Sequence, residues 1–363
     1  MAEKGLRTLE ELIRFCIVNR VSDVHLKPDR PPILRRGNSL IIGSGSQSAL
    51  TGMDIIKIIE PALTEPAKKQ FREKGEADLG WGIPGVGRFR INLFRSRAGT
   101  SAALRVITDK IPSIDELNLP KTLEKMSLKK QGLVLVTGAT GQGKSTTLAA
   151  MINYINKNRA AHIITIEDPV EYMLKDNKSL ITQRQVGLDT DSFASGLRAA
   201  LRQDPDVILV GEMRDTETME TAINAAETGH LVFSTMHTTD AKDTLNRIME
   251  SFPPDNRSQV RYLVSNVLRG VVSIRLVERK GSKARVPACE IMVVTPRIRD
   301  LLREPNGIDI IPQAIAEGKT LYGMQTFDQS LFAMFKEGLI DYAEAKKNAS
   351  NPADFELKFK GIS

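Results

Sequence analysis

Cysteine is almost absent from this 363-residue chain. Only Cys16 and Cys289 occur, far apart, so neither a disulfide framework nor a CxxC-type zinc site can be assembled, and both thiols are expected to be packed. Tryptophan occurs once and aromatic residues make up 5%, which leaves no visible aromatic-and-basic platform for gripping a nucleic-acid strand. No apolar run approaches the roughly 20 residues of a membrane span. The opening Met-Ala-Glu-Lys-Gly-Leu-Arg has no apolar centre of the signal-peptide kind, so a cytoplasmic protein is expected. The remaining composition is ordinary: 41% hydrophobic and 26% charged residues suit a soluble chain with room for two domains. A formal charge of +7 admits an acidic partner, but the basic residues are spread throughout, as on a general solvated surface.

The most informative stretch is Gly138, Ala139, Thr140, Gly141, Gln142, Gly143, Lys144, Ser145, which fills the GxxxxGK[ST] phosphate-loop pattern. A short apolar run, Gly132 to Thr137, precedes it, and helical spacing begins at Thr146 and runs to Ile155, giving the strand–loop–helix context the motif requires. Glycines let consecutive backbone N–H groups turn inward around a phosphate, and the helix N-terminus behind them adds partial positive charge. Lys144 is expected to bridge the β- and γ-phosphates of ATP, and the Ser145 hydroxyl to ligate Mg²⁺. Thr146 completes the nucleotide-binding set.

Along the chain, Leu9, Leu12, Ile13, Cys16 and Ile17 predict an amphipathic helix ending near Arg20 to Ser22. Two strands around a Gly37-Asn38 turn follow, then one or two helices over 51–74 interrupted at Pro61 and Pro66. Gly87 to Phe94 alternates strictly, placing Arg88, Arg90 and Asn92 opposite Phe89, Ile91 and Leu93. Another strand covers 101–107, and prolines and polar residues over 109–120 predict a hinge. Beyond it, strands at 161–166, 206–210 and 231–236 alternate with helices, the signature of a mainly parallel α/β sheet. Val260, Leu263, Val264, Val267, Leu268, Val271 and Val272 read as one long helical stripe, and 295–363 as a helical C-terminal section.

Ligands of such sheets bind at the carboxyl ends of the strands. Glu167 leaves its strand first and is the candidate to activate the attacking water, with Glu212 next; Asp168 and Glu171 read equally as helix-capping acids. The strand Val207 to Val210 resembles a Walker B strand, but Gly211 stands where many P-loop enzymes place the magnesium aspartate. Mg²⁺ must then be contacted indirectly or through Glu212. His230 and His237 flank the last strand, and His237 emerges on the side where it can sense the γ-phosphate. Arg198 and Arg202 on one helix, and Arg88 and Arg90 with Arg95 and Arg97 beyond them, compete as arginines for the transition-state charge.

Gly138 to Ser145, the acid box Thr165 to Glu171, Val210 to Asp215, and Ala226 to His230 followed by His237-Thr-Thr, in this order, resemble the secretion ATPase superfamily, and within it the type IV pilus motors of the PilT and PilU type. Ser22 to Leu26 and Gly323 to Asp328 resemble that family's terminal signatures. The resemblance implies a PAS-like α+β domain over 1–108, a hinge at 109–120, a P-loop RecA-like ATPase core over 121–294 and the helical section 295–363. It further implies a homo-hexameric ring that drives pilus retraction and twitching motility at the inner-membrane face, acting on a platform protein and in some systems beside a paralogous pilus ATPase. Arg88 and Arg90 would then reach ATP and belong with Glu167, Glu212, His237 and His230 to the catalytic set. Arg297 to Glu304 keeps the core pattern of the family's Ala-Ile-Arg-Asn-Leu-Ile-Arg-Glu retraction segment but not its alanine or asparagine, while Gln183 to Asp189 and Thr326 to Leu331 look nearer to PilU, so an accessory motor stays open. A RecA-like nucleic-acid motor is the alternative of another class, though no nucleic acid is expected; a non-catalytic ring partner is opposed by the intact Lys144, Glu167 and Glu212. Pilus-assembly ATPases of the PilB type carry a four-cysteine zinc motif that two cysteines cannot supply.

Overall fold

Alternating burial builds the first part of the chain and continuous burial the second. The computed structural model describes residues 6–37, 39–42, 49–107, 111–282 and 284–359. It divides into two compact units, 1–110 and 111–363.

In the first unit, helix α1 (Leu9–Asn19) starts at Thr8 through a capping box with Glu11 and ends at Arg20 in the left-handed region, burying Leu9, Leu12, Ile13 and Cys16. Six strands form an antiparallel sheet: β1 (Asp23–Leu26), β2 (Ile33–Arg36), β3 (Ser39–Ile42), β4 (Glu76–Ile83), β5 (Gly87–Ser96) and β6 (Gly99–Ile107), in the order β3-β2-β1-β6-β5-β4. Along β5, Phe89, Ile91 and Leu93 are buried while Arg90 is exposed, as a sheet covered on one face dictates. Of the turn read at Gly37-Asn38, Asn38 lies outside the described residues. Helices α2 (Gly52–Ile59) and α3 (Glu65–Lys74) fill the stretch between β3 and β4. Pro66 does not interrupt α3 but sits in its first turn, where a missing N–H costs nothing.

The second unit opens at Ile111. The stretch read as a hinge begins outside the described residues, at 109 and 110, and from there Ile114 and Leu119 are buried in the core of this unit. Helix α4 (Thr122–Ser127) leads to β7 (Gly132–Thr137), then α5 (Lys144–Asn158), β8 (His162–Glu167), β9 (Leu180–Gln185), α6 (Phe193–Ala200), β10 (Val207–Val210), α7 (Thr216–Glu227), β11 (Leu231–Met236), α8 (Ala241–Glu250), α9 (Arg257–Val267), β12 (Leu268–Glu278) and β13 (Arg285–Val293). The sheet order is β13-β12-β7-β11-β10-β8-β9, parallel throughout except for β13 against β12. Leu133 and Leu135 of β7 enter one core and Val134 and Val136 the other, so helices cover both faces and the strands read as unbroken apolar runs. From α10 (Pro296–Arg303) onward the elements among the described residues are all helices, and Phe327 and Leu331 close a small core against Val277, Val286 and Ala288 of the β12–β13 hairpin. No helix among the described residues is long and apolar enough to cross a membrane.

Two sequence readings need correction. The stripe read as one helix over 260–272 is helical only to Val267; Leu268 begins the longest strand of the sheet. Val260, Val264, Val267 and Val271 happen to continue a helical period, but Val271 faces one core while Val272 and Ile274 face the other, which is period two. Gly270 permits the change: a Cβ there would lie 2.5 Å from Met126 Cε and 2.7 Å from Met292 O. The strand β9 was missed altogether, because Leu-Ile-Thr-Gln-Arg-Gln at the sheet edge has little apolar content to announce it.

Candidate nucleotide site

The phosphate loop leaves β7 at Gly138, whose φ of +143° is a conformation that L side chains rarely adopt, and where a Cβ would meet Ile274 O at 2.6 Å. It enters α5 through Gly143, at φ +89°. No side chain caps α5 and no acid stands in its first turn, so the amide groups and positive dipole of a 15-residue helix are left for an anion. The Lys144 ammonium, 8% exposed, donates to Gly138 O at 2.8 Å and Ala139 O at 3.1 Å, curled inside the loop. Burial pushes its pKa down, opposed by the negative charges of Glu212 and Glu171. The loop is also braced from the side: β12 runs past the end of β7, and its Leu276 N–H donates to Gln142 Oε1 at 2.5 Å.

A cavity of about 540 Å³ opens in front of the loop, lined by Thr140, Gly141, Gly143, Lys144, Ser145 and Thr146 and, opposite them, by Glu167, Glu212 and His237. These are the carboxyl ends of β8, β10 and β11. Ala139 and Gln142 do not line the cavity; Ala139 O accepts from Lys144 and Gln142 Oε1 from the Leu276 N–H. Glu167 is held by Thr165 Oγ1 at 2.7 Å and Gln183 Nε2 at 3.1 Å, both donating to Oε1. Burial nevertheless raises its pKa, with those hydrogen bonds pulling the other way. Glu212 receives Arg214 Nε at 2.7 Å and lies 3.4 Å from His237 Nε2, while His237 Nδ1 is 3.4 Å from Thr140 Oγ1. His237 therefore spans the space between the tip of the phosphate loop and Glu212. At Gly211 a Cβ would fit tightly, 3.1 Å from the Phe193 ring and 3.2 Å from Ile166 O.

His230 is not brought to this cavity. It lies at the amino end of β11, roughly 20 Å along the strand from His237, where its Nδ1 lies 2.8 Å from Ala225 O in the last turn of α7. Its ring is a helix-end partner. The cavity is lined by residues of the second unit, whereas Arg88 and Arg90 stand on β5 of the first, on the face opposite Phe89 and Ile91. Arg198 pairs with Glu217 of α7. Three cavity residues escaped sequence reasoning. Tyr172 bonds the Thr146 hydroxyl at 2.9 Å, Arg214 neutralises Glu212, and Arg285 reaches the cavity from β13. The first two sit beside the acid motifs; Arg285 carried no signal, since only the hairpin pairing brings it near.

Among proteins of known identity, the Pseudomonas aeruginosa protein named type IV pilus retractation ATPase PilT is 42% identical over 347 residues, covering 96% of this chain and 99% of that protein. The type IV pilus ATPase PilU of the same organism is 38% identical over 351 residues, 97% of this chain and 91% of that one. A crystal structure of the pilus retraction motor PilT with bound ADP superposes with a TM-score of 0.88 at 42% identity, covering 96% of this chain and 99% of the other. Residues 83–348 match the family described as type II/IV secretion system protein. The chain belongs to that family. Its members' P-loop α/β core, preceded by an N-terminal domain and followed by helices, is the architecture described above.

Proposed function

We propose that this chain is an ATP-hydrolysing motor that powers type IV pilus retraction. The observation that carries the chemistry is the uncapped α5 N-terminus with Lys144 inside its glycine loop, facing Glu167 across a cavity of nucleotide size. ATP phosphates would take over the donors that Lys144 and the loop amides now present. Glu167, whose carboxyl burial holds above its ordinary pKa, orients or deprotonates the attacking water. His237, between Thr140 and Glu212, reports whether a γ-phosphate is present.

The donor set suits Mg²⁺. A hydroxyl from Ser145 and one carboxylate from Glu212 are the modest protein contribution that this ion takes when phosphates and waters supply the rest. Among the described residues no cluster of three or more histidine, cysteine or acidic side chains offers a fuller cage. When bound, the ion would neutralise phosphate charge.

We read 1–108 as the smaller domain, 109–120 as its link, 121–294 as the ATPase core and 295–363 as the helical extension. The working unit is a homo-hexamer acting on an inner-membrane platform protein. Arg88 and Arg90 are proposed to supply transition-state charge; each changed to Ala should lower kcat more than it raises the nucleotide Kd. Deleting the gene in its host tests the whole reading. Excess surface pili without twitching marks the principal retraction motor. Retained twitching marks the accessory, PilU-like role that Gln183 to Asp189 favours, and nucleic-acid-stimulated turnover of the purified chain would replace both.

A further inference from the structure

The strand that the sequence hid, β9, faces the acid at the end of β8. In the parallel pairing Thr165 lies across from Gln183, and Glu167 is two residues beyond Thr165. Side chains repeat their direction every second residue. Thr165, Glu167 and Gln183 therefore share one face, and two donors converge on a single oxygen of Glu167: Thr165 Oγ1 at 2.7 Å and Gln183 Nε2 at 3.1 Å, both to Oε1. The last torsion of a glutamate is broad and roughly two-fold. Fixing one oxygen with two donors fixes where the other points.

Gln183 does more than this. Its Nε2 also donates to Tyr172 O at 2.9 Å, and its Oε1 accepts the Leu174 N–H at 2.8 Å. Only one orientation of the amide satisfies all three partners. The flipped one would set oxygen against a carboxylate and a carbonyl, and nitrogen against an N–H. Gln185, next on the same face, accepts from Val170 N–H at 3.4 Å. The loop between β8 and β9 is thus tied to the edge strand on either side of Tyr172, whose hydroxyl bonds Thr146 in the first turn of α5.

We propose that Gln183 is the positioning residue for hydrolysis: it aims the Glu167 carboxylate at the water and ties that aim to the loop that touches the phosphate-binding helix. The proposal rests on the water-activating role of Glu167. It assigns Gln183 no contact with nucleotide, so its loss should act on turnover and spare binding.

The test is a double-mutant cycle on the full-length protein with MgATP, reading kcat, KM and the affinity for a non-hydrolysable ATP analogue. Gln183→Met keeps length and shape but removes both the donor to Glu167 and the acceptor for the Leu174 N–H. It should lower kcat about 10- to 100-fold, the range carried by one hydrogen bond to a charged group, with KM and analogue affinity within about threefold, a change worth under a kilocalorie. Gln183→Glu retains the acceptor for Leu174 N–H and sets a second acid against Glu167, so its kcat should fall further. In a Glu167→Gln background, Gln183→Met should cost nothing more, because the group it positions is gone. An equal loss in both backgrounds, or kcat and affinity falling together, would overturn the proposal in favour of a purely structural glutamine. If Gln183→Met does not fold, Gln183→Glu goes through the same cycle: no further loss in the Glu167→Gln background supports the proposal, and an equal loss in both backgrounds overturns it. Wild-type turnover by Glu167→Gln would instead sink the underlying assignment of Glu167, which separates the two failures.

Discussion

His237 and His230 sit at the two ends of the six-residue strand β11. The first stands between Thr140 of the phosphate loop and Glu212; the second lies against the last turn of α7. Residue type and strand are the same, and strand polarity makes the difference. In a parallel sheet every carboxyl end points one way, so loops that leave β7, β8, β10 and β11 crowd one rim with polar groups facing a common cavity. The opposite rim receives chains returning from helices, and its polar groups are spent on closing those helices. A histidine at the first rim can meet substrate; one at the second meets a carbonyl.

The sharpest break in that contrast is at the loop itself. Lys144→Ala should abolish both tight nucleotide binding and turnover, a loss of about a thousandfold or more in kcat/KM, read by phosphate release and nucleotide titration. Glu167→Gln should keep nucleotide bound and lower kcat by about 10²- to 10⁴-fold, so the two variants separate binding from chemistry. His237→Ala should lower kcat about tenfold or more, as loss of a phosphate-facing hydrogen bond does, whereas His230→Ala should leave kcat within about twofold and cost about 1 kcal/mol of stability, seen in thermal or urea melts. Equal kinetic effects from the two histidines would erase the rim distinction.

A pH dependence of stability, with no kinetic effect, is expected near the same rim. Glu290 of β13 is 8% exposed and accepts the Ala241 N–H at 2.8 Å, at the start of the helix that follows His237 and its threonines. Burial pushes its pKa up to about 7, reinforced by Asp240 and Asp328 and opposed by the Ala241 N–H and by Arg275. A carboxyl raised in the folded state stabilises it while protonated. That contribution is complete below the ordinary value of 4.5 and lost as pH rises through about 7, at most about 3 kcal/mol. Glu290→Gln keeps the acceptor and cannot ionise. It should melt above the parent at pH 8, with the two converging as pH falls toward 4.5.

The parts legible in the sequence were those in which one residue type serves one local rule. The glycines, Lys144 and Ser145 announced a phosphate loop because only that backbone shape needs them, and β5 announced its two faces because Arg90 and Ile91 differ so sharply. Glu167 was readable from its place at a strand end. The readings failed where pairing partners, not local pattern, decide. The valines of 260–271 kept a helical period across a real helix-to-strand junction, and β9 was invisible because its glutamines serve cross-strand hydrogen bonds rather than a core. His237 was separable from His230 because it follows the strand while His230 precedes it; only the family resemblance put His230 in the catalytic set, and the structure sets its ring against Ala225 O instead.

The edge of β12 has a mechanical consequence. Ile274 O backs Gly138 and Leu276 N–H holds Gln142, while between them Arg275 stacks 3.8 Å over the Phe327 ring and donates to Asn348 O at 3.1 Å in the helical extension. Three consecutive residues thus grip nucleotide loop and extension together, and an extended backbone barely shortens or stretches along its axis. An axial slide of the helices would therefore be passed to the loop along this strand, as along a push-rod. Because main-chain atoms make the grip at the loop end, it is indifferent to which side chains occupy 274 and 276. At 276 itself, the residue that lacks an N–H, proline, would disconnect the rod from Gln142.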